Sequence, residues 1–246
     1  MTVALEALPA DVAWEAPRAD TRSLRSTVLV RTGGIDAAIA QSVAFGEARG
    51  EGWRAQVGLG AALFMGFRAD GELTFDFETF DGHFVLPVDL VAGDWSARLE
   101  AGHASAHYGD GVRDNGDRPG NFDPWSREWL ALRGARAIGP ARVYAGARVL
   151  LHALPEAEPL AGQLGAEIVG PWDVAPFAAV DLQVAQEDAW APALAGQAGV
   201  TIAAGPHELR VAAWGRTGPE DTGKLKPGTE RWVGLVVGFD LFERGT

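Results

Sequence analysis

The chain has 246 residues, 47% of them hydrophobic, with a net charge of −12 and an isoelectric point near 4.8. That surplus of acid excludes a nucleic-acid face, and the absence of cysteine excludes disulfides and thiolate sites. No window approaches the roughly 18 consecutive apolar residues of a membrane helix, while 32 glycines among short apolar segments point to strands and turns.

Residues 1–22 lack any regular pattern and hold no basic stretch followed by an apolar run, so no secretory leader is read within them. They are expected to be a periplasmic lead-in lying against one end of the following domain or inside it. From residue 23 onward, alternation with period two recurs. In "WRAQVGLGAALFMGFR" (53–68), Trp53, Ala55, Val57, Leu59, Ala61, Leu63, Met65 and Phe67 share one parity, and Arg54, Gln56 and several glycines share the other. An amphipathic helix would not keep that phase so long.

The same alternation predicts about 12 strands. They lie near 23–32, 37–47, 53–68, 83–92, 95–108, 128–138, 141–152, 161–170, 174–187, 192–204, 207–216 and 230–242, with 243–246 as a tail. Connections alternate between tight turns ("AGD", "IGP", "GPWD", "AGPH") and longer polar loops such as "GDGVRDNGDRPGNFDPWSR". That asymmetry is the pattern of an outer-membrane barrel, whose long loops are extracellular. The predicted fold is therefore all-β: a single antiparallel transmembrane β-barrel over residues 23–242, in a bacterial outer membrane.

Alternation alone does not say which face is inside. The polar face carries charges of both signs (Arg54, Arg98, Glu100, Arg142, Arg148, Glu167, Asp181, Arg210), which suits a wet or ion-paired lumen that a small solute could enter. The apolar face, rich in Ala, Val and Leu, is too small to fill a barrel of this size and so should meet lipid. Tryptophans cluster at strand ends: Trp53, Trp95 and Trp172 by short turns, and Trp125, Trp129, Trp190, Trp214 and Trp232 by long loops. They are expected to form two interfacial belts.

Strand 95–108 ends in "GHASAHYGDG" (102–111). His103, Ser105 and His107 share the parity of Leu99, so they should face lipid near the long loops. A polar strand end needs no function, but an outward serine with a histidine two residues before it could attack a lipid ester, the histidine taking the serine proton. On the next strand Glu128 has the parity of Leu130 and Leu132 and falls beside His103 as a candidate orienting group.

The "HAS" element resembles the His-x-Ser of outer-membrane phospholipase A and the lipid A deacylases, where the resemblance implies a lipid-facing dyad oriented by a third polar residue. Ala106 and His107 follow the serine here, unlike the glycine or Asn-Ala of those families, and assign no oxyanion donor. More of the chain, from about residue 8 to 242, resembles the bacterial family called domain of unknown function 1207. The resemblance rests on "FVLPVDL", "SAHYGD" and "QEDAWAP". It implies an outer-membrane barrel without assigning an activity, and it marks His107, Gly109 and Asp110 as a motif of unassigned role.

Asp114, Asp117 and Asp123, in loop 109–127, offer oxygen ligands that could hold calcium, although their spacing is not that of an EF-hand. His103 and His107 stand about 13 Å apart along a strand and cannot share a metal. His152 and His207 are expected to be isolated, and "TGKLKPG" holds both lysines of the chain, Lys224 and Lys226, as a small basic patch. Three readings follow: a structural or narrow-channel barrel, an outer-leaflet acyl-ester hydrolase acting on membrane lipids, and a partner-binding barrel using loop 109–127.

Overall fold

The computed structural model describes residues 3–69, 74–111, 124–204, 207–225, 228–240 and 243–244. The strands are β1 (Ala4–Ala7), β2 (Asp11–Val12), β3 (Ser26–Arg31), β4 (Gly34–Gly50), β5 (Trp53–Ala69), β6 (Phe75–Ala92), β7 (Trp95–Tyr108), β8 (Trp125–Ile138), β9 (Ala141–Leu154), β10 (Leu160–Val169), β11 (Val174–Ala185), β12 (Pro192–Ala204), β13 (His207–Pro219), β14 (Thr229–Asp240) and β15 (Glu243–Arg244). Each of β3 to β14 pairs antiparallel with its sequence neighbours. The first of them, β3, also pairs with the last, β14, so twelve strands close into a barrel. Closure leaves no sheet edge to satisfy in hydrocarbon, which is why only barrels cross membranes with strands.

The period of two sorts side chains along β11 from Val174 to Leu182. Ala175, Phe177, Ala179 and Asp181 are buried, while Val174, Val180 and Leu182 are exposed. Around the ring the exposed positions are large and apolar, among them Leu86, Val88, Leu90, Leu99, Leu132, Leu164 and Leu235. Such a continuous apolar band would be unfavourable in water and is the face a bilayer covers.

The lumen is ion-paired. Arg98 pairs with Asp89 at 2.7 Å, Arg133 with Glu100 at 2.7 Å, and Arg142 with Glu167 at 3.0 Å. Arg54 reaches Asp11 at 2.5 Å, Arg148 lies 3.9 Å from Glu187, Asp181 accepts from the Tyr144 hydroxyl at 2.8 Å, and Arg210 is buried. The polar face of the sequence is thus the inner wall.

The lead-in fills much of that interior. Beyond β1, which pairs with the far end of β4, residues 13–25 run through the lumen. Trp14 lies between the guanidiniums of Arg98 and Arg142, 5.7 and 4.9 Å from its ring centre. Arg18 pairs with Glu167 at 3.2 Å and Glu208 at 3.5 Å, Asp20 accepts from Gln163 and Gln183, and Arg22 bridges Asp81 and Asp221. A cavity of about 180 Å³ remains, lined in part by Arg22, His83, Glu100, Arg133, Arg148 and Glu187.

Two expectations need correction. Trp129, Trp214 and Trp232 are 5–6% exposed and point inward, so of the five expected at the long-loop end Trp190 is exposed and Trp125 half-buried. The inward three share parity with Arg127, Arg216 and Gly234, and an indole among charges stacks on guanidinium, as Trp129 does with Arg148. Trp95 and Trp172, by short turns, are exposed as expected. The segment 75–82, read as loop, instead extends β6, because one extra residue at Glu78 bulges the strand and keeps Phe77 opposite Phe67.

Candidate active site on the outer wall

A polar patch in the apolar outer wall lies where β6, β7, β8 and β9 approach the long-loop end. Cross-strand register sets it: His103 stands opposite Phe84 and Glu128, Ser105 opposite Gly82 and Ser126, and Glu128 opposite His152. Because neighbouring strands put paired residues on one face, all of these side chains point outward.

Glu128 is the centre of the group. Its Oε1 lies 2.7 Å from His103 Nδ1, and its Oε2 lies 2.6 Å from His152 Nδ1. The carboxylate therefore fixes which nitrogen of each ring faces it and leaves both Nε2 atoms turned away. His103 and Glu128 are partly exposed and His152 more so, with 43%, 33% and 58% of their side chains accessible. Ser105 follows His103 by two positions on the same face, about 6.5 Å along the strand. It makes no side-chain hydrogen bond among the described residues.

His152 is not isolated, contrary to the sequence reading. Between Glu128 and Trp129 the register of β8 on β9 shifts, so Trp129 pairs with Leu150 while Glu128 pairs with His152. Leu151 is the inserted residue, and it turns His152 from the lumen parity to the outer face. The consecutive apolar residues in "VLLHAL" were the only hint of that irregularity.

The motif following the serine closes the strand. His107 stacks on Phe80 with ring centres 4.8 Å apart and 18° between planes. Gly109 donates its N–H to Glu78 O at 2.7 Å, and a Cβ there would fall 2.2 Å from Phe77 O, so only glycine fits against the β6 bulge. The Tyr108 hydroxyl donates to Lys224 O at 3.0 Å, with the Lys224 ammonium over its ring, and Asp110 is exposed. Asp114, Asp117, Asp123 and Lys226 lie outside the described residues.

Among the described residues, the carboxylates of Glu220, Asp221 and Glu230, at the lumen mouth, also lie close together. Burial, and then the neighbouring Asp221, hold the Glu220 carboxyl above the usual carboxylate range. Arg22 and Arg216 pair with Asp221, and Arg216 also with Glu230.

The family described as "Protein of unknown function (DUF1207)" matches residues 33–205, from the start of the first long hairpin to the end of β12. The chain belongs to this family. Among solved structures, outer membrane phospholipase A from Escherichia coli is similar, with a TM-score of 0.56 and 11% identity over 88% of this chain and 89% of that one. An active-site mutant of the same enzyme gives a TM-score of 0.57 and 12% identity over 94% of each chain. At such identity the likeness is one of fold, and it spans nearly the whole of both chains. Comparison with curated proteins returns no match.

Proposed function

We propose that this DUF1207 protein is an outer-membrane lipid acyl-ester hydrolase that works on the lipid-facing side of its wall. The observation that carries the reading is the 2.7 Å contact of His103 Nδ1 with Glu128, on the face that also presents Ser105. A carboxylate on Nδ1 leaves Nε2 as the free base, which is what a serine nucleophile requires. Ser105 Oγ attacks the ester carbonyl as His103 takes its proton, and His103 then protonates the departing alcohol. A water deprotonated by His103 releases the fatty acid from Ser105. The bond from Ser105 to His103 is one to form with substrate present, as catalytic contacts commonly tighten only in the complex.

The position suits a lipid. With long loops outward, the group lies in the outer leaflet near the headgroups, where a phospholipid ester sits. The structural neighbours bear the name phospholipase A, which supports the same substrate class. The interior weighs against a solute channel, since residues 13–25 and their ion pairs occupy it.

The test is release of fatty acid from dispersed phospholipid and lipid A by the refolded protein and by Ser105→Ala. Hydrolysis by the wild type and none by the variant is expected. Equal rates in both, or none in either, would overturn the assignment and leave a barrel without this chemistry.

A further inference from the structure

Gly82 has no evident structural reason to be glycine. It sits in the outer stretch of β6 with no positive φ, and glycine in a strand interior is less stable than alanine. A Cβ built there would meet no backbone atom; its nearest neighbours are Ser105 Oγ at 3.6 Å and Phe84 Cε2 at 4.0 Å, both ordinary contacts. Gly109, whose missing side chain the fold demands, is the contrast.

What the missing side chain does is leave the flank of Ser105 open. Gly82 pairs with Leu63 on one side and Ser105 on the other, and along its own strand it is bracketed by Phe80 and Phe84. Phe84 is 54% exposed, and Phe80 is held by its stack on His107. Between two phenyl-bearing positions the Gly82 backbone thus carries no side chain, and the place its Cβ would occupy is in reach of Ser105 Oγ on one strand and Phe84 Cε2 on its own.

We propose that Gly82 is an access and positioning residue: it keeps open the slot through which a long-chain acyl ester reaches Ser105, the acyl chain lying over Gly82 between Phe80 and Phe84. This rests on the hydrolase reading above and adds the direction of approach. The ester carbonyl comes from the β6 side, opposite the Glu128 side from which His103 is oriented. Substitution at 82 fills the slot without touching His103 or Glu128, so it removes turnover by exclusion.

The test uses Gly82→Ala and Gly82→Val in the full chain, refolded in detergent with phospholipid. Both should keep the wild-type heat-modifiable gel mobility, with thermal midpoints equal to or above it. Hydrolysis of a long-chain phospholipid should fall in the order Gly, Ala, Val. The loss for valine should be on the order of 100-fold, the size of effect that an ångström of misplacement produces.

A second readout does not use turnover. The chain has no cysteine, so Ser105→Cys is a unique thiol, and its alkylation by N-ethylmaleimide should slow at least about tenfold when Gly82→Val is added, if the side chain covers it. Wild-type rates in Gly82→Val, with Ser105→Ala inactive, would overturn the slot and leave the hydrolase standing. Unchanged alkylation in Gly82→Val would likewise overturn the slot. No turnover by wild type would overturn the hydrolase and with it the slot's purpose. Should valine disturb folding, the alanine variant decides, because its single added carbon makes only contacts of ordinary length.

Discussion

Glu128 gives one carboxylate oxygen to each of two imidazoles, and the two contacts carry different expectations. His103 is the ring next to Ser105, so Glu128→Gln, which keeps the shape but loses the charge, should lower kcat on the order of 10³-fold. His152 touches only Glu128, at an exposed pair worth at most about 1 kcal/mol, so His152→Ala should cost kcat about fivefold with KM unchanged. Steady-state kinetics on one phospholipid separates the two, and equal losses would remove the distinction. His103, Ser105 and Glu128 were legible from sequence because a strand's period of two assigns a face to every residue once one apolar neighbour is placed. His152 was not, because the inserted Leu151 breaks the count by one, and no residue type announces a bulge. Gly82 was hidden for a different reason. A glycine matters there by what it fails to cover, which only the neighbouring strand reveals.

At the level of elements, the "SAHYGD" motif is a strand ending shaped to its neighbour. Gly109 lies against a β6 carbonyl where a Cβ would fall 2.2 Å away, so Gly109→Ala must part β6 from β7 just beyond Ser105. We expect a loss of about 1–3 kcal/mol, read as a lower thermal midpoint of the heat-modifiable form, with little change at Gly82→Ala. An unchanged midpoint for Gly109→Ala would show that the bulge relaxes freely. Strand number was legible because alternation recurs in each strand from β3 to β14, and parity was legible except across the bulges in β4, β6 and β9. The β6 extension was not, since "DFETFDG" reads as a polar loop until its bulge and its partner Phe67 are seen. The inward tryptophans show the limit of reading residue type before parity: Trp214 follows Arg210 by an even step, and that step placed it with the charges.

On the scale of the whole molecule, the barrel is a wall around a charged interior that its own first residues complete. Arg18 is 2% exposed and faces Glu167 and Glu208, each itself buried. Arg18→Ala leaves those carboxylates short of a counter-charge, and breaking such a buried network costs about 3–5 kcal/mol, which thermal unfolding in detergent would register. In planar bilayers the wild type should show no steady conductance; sustained ohmic steps would contradict a filled lumen. The lead-in was the least legible part of the chain. Its side chains reach β6, β7, β9, β10, β11 and β13 at once, and no local periodicity records partners so scattered.

The path of that lead-in also ties the wall to the interior. The chain climbs inside the barrel and enters the wall from within at Ser26, where β3 takes its place between β4 and β14. The strand that completes the ring is thus the one tethered to the filling. Because β3 continues directly from residues 13–25, the β3–β14 seam and the ion-paired interior are joined by one unbroken piece of chain.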